Sequence, residues 1–231
     1  MASVLCDPGF WITDPEIGVD AAMVVHGEQA IRLHAPLPAA GTVVGRERIV
    51  DVVDRGRGGH AFVRTSREIV DPVTDRPVAT LASTIVLRNQ GGFGGPNGSL
   101  PRRDPVPDRP PDRILSTNTL PQAALIYRLS GDLNPLHADP AIARQAGYPK
   151  PILHGLCTLG IAARAILRSC CDNDPARLGE VGVRFSAPLF PGETLQTEIW
   201  LEDTNVRFRC RAVEREAVVL DAGSAVMAAG H

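Results

Sequence analysis

The chain has 231 residues, of which 44% are hydrophobic and 22% are charged, an ordinary composition for a globular protein. Its 24 basic and 26 acidic side chains give a net charge of −2, and only 4% of the residues are aromatic. A nucleic-acid-binding surface is therefore not indicated. No stretch approaches the ~20 consecutive apolar residues that span a bilayer, so no membrane contact is expected. The five cysteines form no CxxC pair and the N-terminus has no signal-peptide pattern, which predicts reduced thiols and a cytoplasmic location.

From residue 24 onward, apolar and polar residues alternate with the period of two that is typical of half-buried β-strands. Turn-forming residues at 55–59 and 71–77 interrupt this pattern, and both turns are predicted to close hairpins. The four predicted strands cover residues 24–34, 42–53, 60–70 and 78–87.

A glycine- and proline-rich stretch follows at residues 89–112 and begins near the run Gly-Gly-Phe-Gly-Gly. This composition predicts an extended linker without a core of its own. The linker divides the chain into a first half, residues 1–88, and a second half, residues 113–231.

The second half is predicted to contain a helix that is buried nearly all round, from Gly155 to about Cys171. Apolar residues recur there at steps of three and four, and the opposite face is also largely apolar. Arg164 and Arg168 share one side of this helix, and that side is expected to be exposed to solvent. Around it we predict a strand, two short helices and four closing strands, at residues 113–118, 121–129, 140–146, 182–188, 194–202, 206–213 and 217–228.

A faint internal repeat links the two halves. The segment 36–43 is similar to the segment 188–195, and each precedes a run of strands. Two copies of one sheet-forming unit are therefore predicted. A buried helix followed by antiparallel strands is the arrangement of the α+β hot-dog fold, in which a curled sheet wraps one helix.

The first copy is expected to be shortened at its N-terminal side. The matching place for its helix, residues 3–19, contains Pro8, Pro15 and two glycines, which disfavour a full helix. A sheet face without its helix predicts an exposed apolar patch around Phe10, Trp11 and Ile12. Such patches usually mark an interface, so the chain is expected to form a homodimer or to need a partner subunit.

The acid–base groups concentrate between residues 127 and 140, in the stretch Tyr-Arg-Leu-Ser-Gly-Asp-Leu-Asn-Pro-Leu-His-Ala-Asp-Pro. Pro135 cannot lie inside a helix and disfavours helical backbone at Asn134, so residues 132–137 are predicted to form an irregular loop. Such a loop can direct Asp132 and His137 towards one point. Asp139 is predicted to cap the short helix that starts at Pro140.

This stretch closely resembles the signature of the MaoC-like, (R)-specific enoyl-CoA hydratases, the hydratase 2 group. The downstream block Pro-Ile-Leu-His-Gly-Leu-Cys, residues 151–157, resembles the second block of the same family. The resemblance implies a double hot-dog fold and an acyl-CoA thioester substrate. It also implies reversible hydration of trans-2-enoyl-CoA to (R)-3-hydroxyacyl-CoA, a step of fatty acid β-oxidation, without metal or cofactor.

The resemblance assigns catalytic roles to Asp132, Asn134 and His137, which would hold the reacting water. Hydration of an enoyl thioester needs a base for the water and an acid for the α-carbon. We favour His137 as the base for water, and the reverse assignment stays open. The backbone N–H of Gly155 is assigned to the enolate oxygen, although a glycine at a helix start also occurs for packing alone.

Five further residues are assigned to substrate binding. Phe185 either lines the acyl tunnel or is plain core, and Arg55 either meets CoA phosphates or is a solvated turn residue. The other three lie in the loop itself: Leu133, Pro135 and Leu136. His154 either contacts substrate or is a structural histidine beside the helix start, and we favour the structural role.

Three alternatives require different sequence patterns. A metal site is disfavoured because no second His or Cys lies at a zinc spacing and the calcium-loop pattern is absent. A non-catalytic acyl-CoA-binding subunit would be indicated by a degenerate motif, and the motif is intact. Hot-dog thioesterases lack the Asp-x-Asn-Pro-Leu-His block.

Overall fold

The computed structural model describes residues 5–37 and 40–228. The chain divides into two compact units, Met1–Arg102 and Arg103–His231. The division falls inside the stretch 89–112, whose bounds as a linker stay a prediction. Each unit is described by itself below.

Four antiparallel strands form the first unit: β1 (Val24–Leu33), β2 (Val44–Asp54), β3 (Ala61–Val70) and β4 (Pro77–Leu87). Their order is β2-β3-β4-β1. Both predicted hairpins are confirmed, since β2 pairs with β3 and β3 pairs with β4. In β3 buried and half-buried residues alternate along most of its length, as expected for a strand with one covered face.

Short 3-10 turns stand where the first copy would have its helix. They cover Trp11–Thr13, Pro15–Ile17 and Ala21–Met23. Pro15 starts the second turn, and Gly18, with a φ of 72°, ends it in the left-handed region. Among the described residues of the first unit there is no α-helix.

The N-terminal segment nevertheless covers part of the sheet, and the prediction of an exposed patch there was wrong for Ile12. Phe10 is 47% exposed, Trp11 is half-buried, and Ile12 is only 5% exposed. The cluster that buries Ile12 lies on one face of β3 and β4: Ala61, Val63 and Leu87. The short turns thus replace some of the burial that a helix would supply.

The glycine-rich start of the predicted linker makes hydrogen bonds to the first sheet. The buried carboxylate of Asp54, at the end of β2, accepts hydrogen bonds from the N–H groups of Gly92 (2.6 Å), Gly94 (3.0 Å) and Gly95 (3.2 Å). It also accepts one from Gly56 (2.8 Å) in the β2–β3 turn. These bonds, the one from Gly92 first, lower the pKa of Asp54. We call this arrangement the Asp54 clasp.

The second unit contains five antiparallel strands and three α-helices among its described residues. The strands are β5 (Arg113–Asn118), β6 (Leu178–Phe185), β7 (Thr194–Glu202), β8 (Asn205–Ala212) and β9 (Ala217–Met227). Their order is β6-β9-β8-β7-β5. The helices are α1 (Ala123–Tyr127), α2 (Pro140–Gln145) and α3 (Gly155–Cys170).

Helix α3 is the centre of the second unit and packs against β5, β6 and β7. Its exposed residues are Gly160, Arg164 and Arg168, which follow one another at four-residue steps along one line. Five residues on the opposite side are buried and the other eight are half-buried, so the predicted burial on nearly all sides is only partly met. No helix in the described part of the chain is both long and apolar enough to cross a membrane.

Two predicted boundaries were inaccurate. Strand β6 begins at Leu178 and ends at Phe185, whereas residues 182–188 were expected. Its pairing with β9 is interrupted twice, near Gly179 and near Val183, and such irregularities weaken the alternation that marks a strand. Helix α1 ends at Tyr127 and continues as a 3-10 turn that Gly131 closes with a φ of 114°.

The two units share one connectivity, which agrees with the repeat predicted from the sequence. Strands β1 to β4 are ordered β2-β3-β4-β1, and strands β6 to β9 follow the same scheme as β7-β8-β9-β6. The second unit has β5 and α3 in addition. Residues 38 and 39 of the predicted repeat segment lie outside the described residues.

Candidate active site

The loop that follows Gly131 is built from two side-chain-to-backbone turns. Asp132 Oδ1 accepts a hydrogen bond from the Asn134 N–H (3.2 Å), and Asn134 Oδ1 accepts one from the Leu136 N–H (3.0 Å). Pro135 starts a 3-10 turn, Pro135–His137, inside the stretch predicted to be irregular. Local bonds thus fix the backbone between the two acid–base side chains.

His137 ends this turn and is only 9% exposed. Its Nδ1 lies 2.8 Å from the carbonyl oxygen of Ile152. A carbonyl can only accept, so Nδ1 carries the hydrogen and Nε2 presents a lone pair. Burial lowers the pKa of His137, and this effect is opposed first by the hydrogen bond to Ile152 and then by the charge of Asp132. The imidazole is therefore neutral at physiological pH and suited to accept a proton.

The second sequence block brings His154 against this pair. The rings of His137 and His154 stack with centroids 3.7 Å apart, and one carboxylate oxygen of Asp132 and one ring nitrogen of each histidine lie within 4.8 Å of one another. Tyr127 contacts the His154 ring at a centroid distance of 4.8 Å. The sequence places His154 beside the helix start but does not by itself predict the contact with His137. His154 lies in the second block, residues 151–157, and the resemblance of that block to the family was the signal that could have indicated a place in the site.

Asp132, His137 and His154 are also metal-ligand types. Two of their ring nitrogens already face carbonyl oxygens, His137 Nδ1 that of Ile152 and His154 Nε2 that of Asp132. The other nitrogen of His154 is sealed from solvent. The arrangement therefore favours acid–base chemistry over coordination of an ion by all three residues.

Helix α3 begins beside this group with its first turn uncapped. His154 is the N-cap residue, and its side chain accepts no hydrogen bond from the first turn. Free N–H groups at a helix N-terminus attract negative charge. Gly155 is the first residue, and a Cβ there would lie 3.0 Å from Cε1 of Phe185. Close packing of Phe185 is thus one physical reason for glycine at this position.

The remaining predicted residues have different surroundings. Leu133 is 62% exposed, Pro135 is exposed and Leu136 is half-buried. Arg55 belongs to the first unit, where it lies in the β2–β3 turn and donates to Asn97 Oδ1 at 2.7 Å. Asp139 accepts from the Ala141 N–H at 2.7 Å, which confirms its predicted role as the cap of α2. The substrate-binding roles stay predictions.

Fold and site together define a hot-dog protein with an acid–base loop beside the N-terminus of its central helix. Two family models match: the MaoC like domain over residues 103–222, and the MFE-2 hydratase 2 N-terminal domain over residues 9–89. The chain belongs to the MaoC-like dehydratase family, and the resemblance drawn from the two motifs is confirmed.

Individual relatives support this family assignment. 3-Hydroxyacyl-thioester dehydratase Y of Mycobacterium tuberculosis is 44% identical over 99% of this chain and 81% of the relative. The crystal structure of a MaoC-like dehydratase from Phytophthora capsici matches with a TM-score of 0.84 and 40% identity, over 92% of this chain and 74% of that one. The peroxisomal multifunctional enzyme type 2 of Drosophila melanogaster matches with a TM-score of 0.80 and 38% identity, over 88% of this chain and 37% of that one.

A more distant structure, from Mycobacterium tuberculosis, is described as a double hot-dog fold. It matches with a TM-score of 0.60 and 19% identity over 90% of this chain and 77% of that one, a likeness of fold alone. The predicted α+β, double hot-dog class is confirmed.

Proposed function

We propose that this chain catalyses the reversible hydration of trans-2-enoyl-CoA thioesters to (R)-3-hydroxyacyl-CoA. The observation that carries the proposal is the convergence of Asp132 and His137 beside the uncapped first turn of α3. The family and the name of the 44% identical relative, a 3-hydroxyacyl-thioester dehydratase, support the same reaction in its reverse direction. The proposal includes no metal and no cofactor.

The geometry supports a single water held between the two acid–base groups. A carboxylate oxygen of Asp132 and a ring nitrogen of His137 lie within 4.8 Å. One water that makes hydrogen bonds of about 2.8 Å to both groups spans about 4.6 Å. His137 Nε2 accepts a proton from the water as its hydroxyl adds to C3. That proton then passes to the Asp132 carboxylate, which delivers it to C2, so both groups return to their starting forms and the reaction consumes one water.

Addition at C3 places negative charge on the thioester oxygen. The N–H of Gly155 at the start of α3 is our candidate donor to this oxygen, and one such donor contributes about 2.7–4 kcal/mol in other enzymes. Asn134 uses Oδ1 to cap the loop, so its Nδ2 is the group left to contact the water. Phe185 packs against Gly155 and would contact the acyl group beside it.

The alternative functions differ in their requirements. A thioesterase that uses a cysteine nucleophile needs a low thiol pKa, whereas burial raises the pKa of Cys157, in the first turn of α3, to about 11. A non-catalytic acyl-CoA-binding subunit needs no oriented acid–base pair. Release of free CoA thiol from acyl-CoA would support a thioesterase and contradict hydration as the main activity.

The decisive experiment is hydration of a panel of trans-2-enoyl-CoAs, followed by loss of the conjugated thioester absorbance. Asp132→Asn and His137→Gln should each lower turnover at least ~100-fold, and the double variant should be little worse than either single variant. Asp139→Asn is the matched control, because Asp139 only caps α2. Near-normal turnover in Asp132→Asn or His137→Gln would contradict the assignment.

The stereochemistry has its own test. With an (S)-specific 3-hydroxyacyl-CoA dehydrogenase as the coupling enzyme, the hydration product should give no NADH. Quantitative NADH formation would show that the product is the (S) isomer.

We further propose that the chain acts in the cytoplasm as a homodimer or with a partner subunit. The cysteines are free thiols, as expected for a reducing compartment. Among the described residues of the first unit, β2 pairs only with β3, and its Val44, Ile49 and Val50 are exposed, which leaves an apolar strand edge available. Sedimentation velocity should therefore detect a species larger than one chain, and a strict monomer with full activity would contradict the proposed association.

A further inference from the structure

One imidazole outside the proposed acid–base pair touches both of its members. His154 is 1% exposed and lies directly before α3. Its ring stacks on His137 with centroids 3.7 Å apart and planes inclined by 26°. Its Nε2 lies 3.2 Å from the backbone carbonyl oxygen of Asp132. His154 therefore contacts the side chain of the base and the backbone of the acid.

The hydrogen bond to the Asp132 carbonyl oxygen fixes the tautomer of His154. A carbonyl only accepts, so Nε2 carries the hydrogen and Nδ1 holds a lone pair. Nδ1 is shielded from solvent and has no hydrogen-bond partner among the described residues. Protonation would put a second hydrogen on this nitrogen without an acceptor and a positive charge against the stacked His137. Burial, followed by the neighbouring His137, lowers the pKa of His154 to about 4.

We propose that His154 is a positioning residue that keeps His137 desolvated and neutral while it anchors the backbone of Asp132. The proposal rests on the proposed hydratase function, since it assigns His137 as the base. The titratable and charged groups that face His154 are His137, Asp132, Tyr127 and Arg128. Asp132 favours a charged imidazole, whereas Arg128 and His137 oppose it, so burial decides the outcome.

The two contacts can be separated by substitution. His154→Phe keeps a ring against His137 and removes the donor to the Asp132 carbonyl. His154→Gln keeps a donor near the position of Nε2 and removes the stacked ring. Ile166→Val is the matched control, because Ile166 is fully buried in α3 and is three turns from His154.

The first readout is the pKa of His137 in the free protein, measured by NMR titration of the imidazole nitrogens. In His154→Gln water gains access to His137, so this pKa should rise by at least about 0.5 unit towards 6.5, whereas in His154→Phe and Ile166→Val it should stay near the wild-type value. The second readout is hydration: kcat should fall about 10-fold or more in His154→Phe, and the acid limb of kcat/KM should move up only in His154→Gln.

The NMR readout does not depend on activity, so it distinguishes failure of this inference from failure of the proposed function. An unchanged pKa of His137 in a folded His154→Gln variant would overturn the inference. If neither variant folds, the wild-type spectrum decides: a neutral His154 with its hydrogen on Nε2 at pH 6–7 supports the proposal, and an imidazolium at that pH overturns it.

Discussion

Adding one methyl group at the start of α3 tests the proposed oxyanion site most directly. A Cβ on Gly155 would lie 3.0, 3.2 and 3.3 Å from three ring carbons of Phe185, closer than ordinary van der Waals contact. Relief of this overlap requires the helix start or the ring to move by roughly 0.4 Å. If the helix start moves, a hydrogen bond of about 2.9 Å from the Gly155 N–H lengthens to about 3.3 Å, beyond its normal range.

The expected cost in rate follows from this displacement. Complete loss of an oxyanion donor lowers kcat by about 10²–10³, so a lengthened bond should lower it by about 10–100-fold, or roughly 1.4–2.7 kcal/mol. Stability should change less, because overpacking costs about 1–3 kcal/mol while alanine in place of glycine within a helix contributes up to about 1 kcal/mol. Gly155→Ala should therefore be folded and slow.

The assay is enoyl-CoA hydration together with thermal unfolding. Gly160→Ala is the control, since Gly160 is exposed in the same helix and a Cβ there meets nothing within 4 Å. It should keep wild-type turnover and gain up to about 1 kcal/mol. Phe185→Leu combined with Gly155→Ala should recover part of the lost rate. Wild-type kcat in Gly155→Ala, with the Phe185 ring unmoved in a crystal structure of the variant, would refute the oxyanion assignment. Equal losses in both alanine variants would refute the geometric explanation.

Three further predictions concern single side chains. Burial lowers the pKa of His137, so the acid limb of kcat/KM should lie below pH 6.5, and a limb above pH 7 would argue against a neutral base. The folded-state pKa of His154 is about 4, so unfolding takes up a proton between about pH 4 and 6.5. In urea titrations the free energy of unfolding should therefore fall as the pH is lowered from about 6.5 to 4, and this pH-dependent loss should be absent in His154→Phe. Ile12→Ala should destabilise the protein by about 2–4 kcal/mol in denaturant unfolding, and a loss below 0.5 kcal/mol would mean that the N-terminal segment is not packed.

The features that the sequence predicts well depend on local chemistry. The loop at residues 132–139 follows from proline, glycine and side chains that cap neighbouring N–H groups, and these interactions span two residues. The helix at 155–170 follows from its apolar period, and most strands follow from alternation. Strand β6 is less well predicted because irregular pairing breaks its alternation.

The features that the sequence does not predict depend on contacts between distant residues. Asp54 binds N–H groups near residue 92, and nothing around Asp54 indicates that a glycine run will reach it. Ile12 was expected on the surface because its partners on β3 and β4 are about 50 or more residues away. The stacking of His154 on His137 likewise requires the turn at residues 147–153 to bring the two rings together.

The residues of the candidate site lie close together in the sequence, and this affects how the site folds. Asp132, His137 and Gly155 are all contributed by one continuous segment, residues 132–155. The entropy of closing a chain segment rises only with the logarithm of its length, and a segment of roughly 20 residues is short. After a local opening the site should therefore re-form quickly and without rearrangement of the remaining strands. In native-state hydrogen exchange, the amides of 132–155 should open and close as one unit, faster than those of β7 and β8.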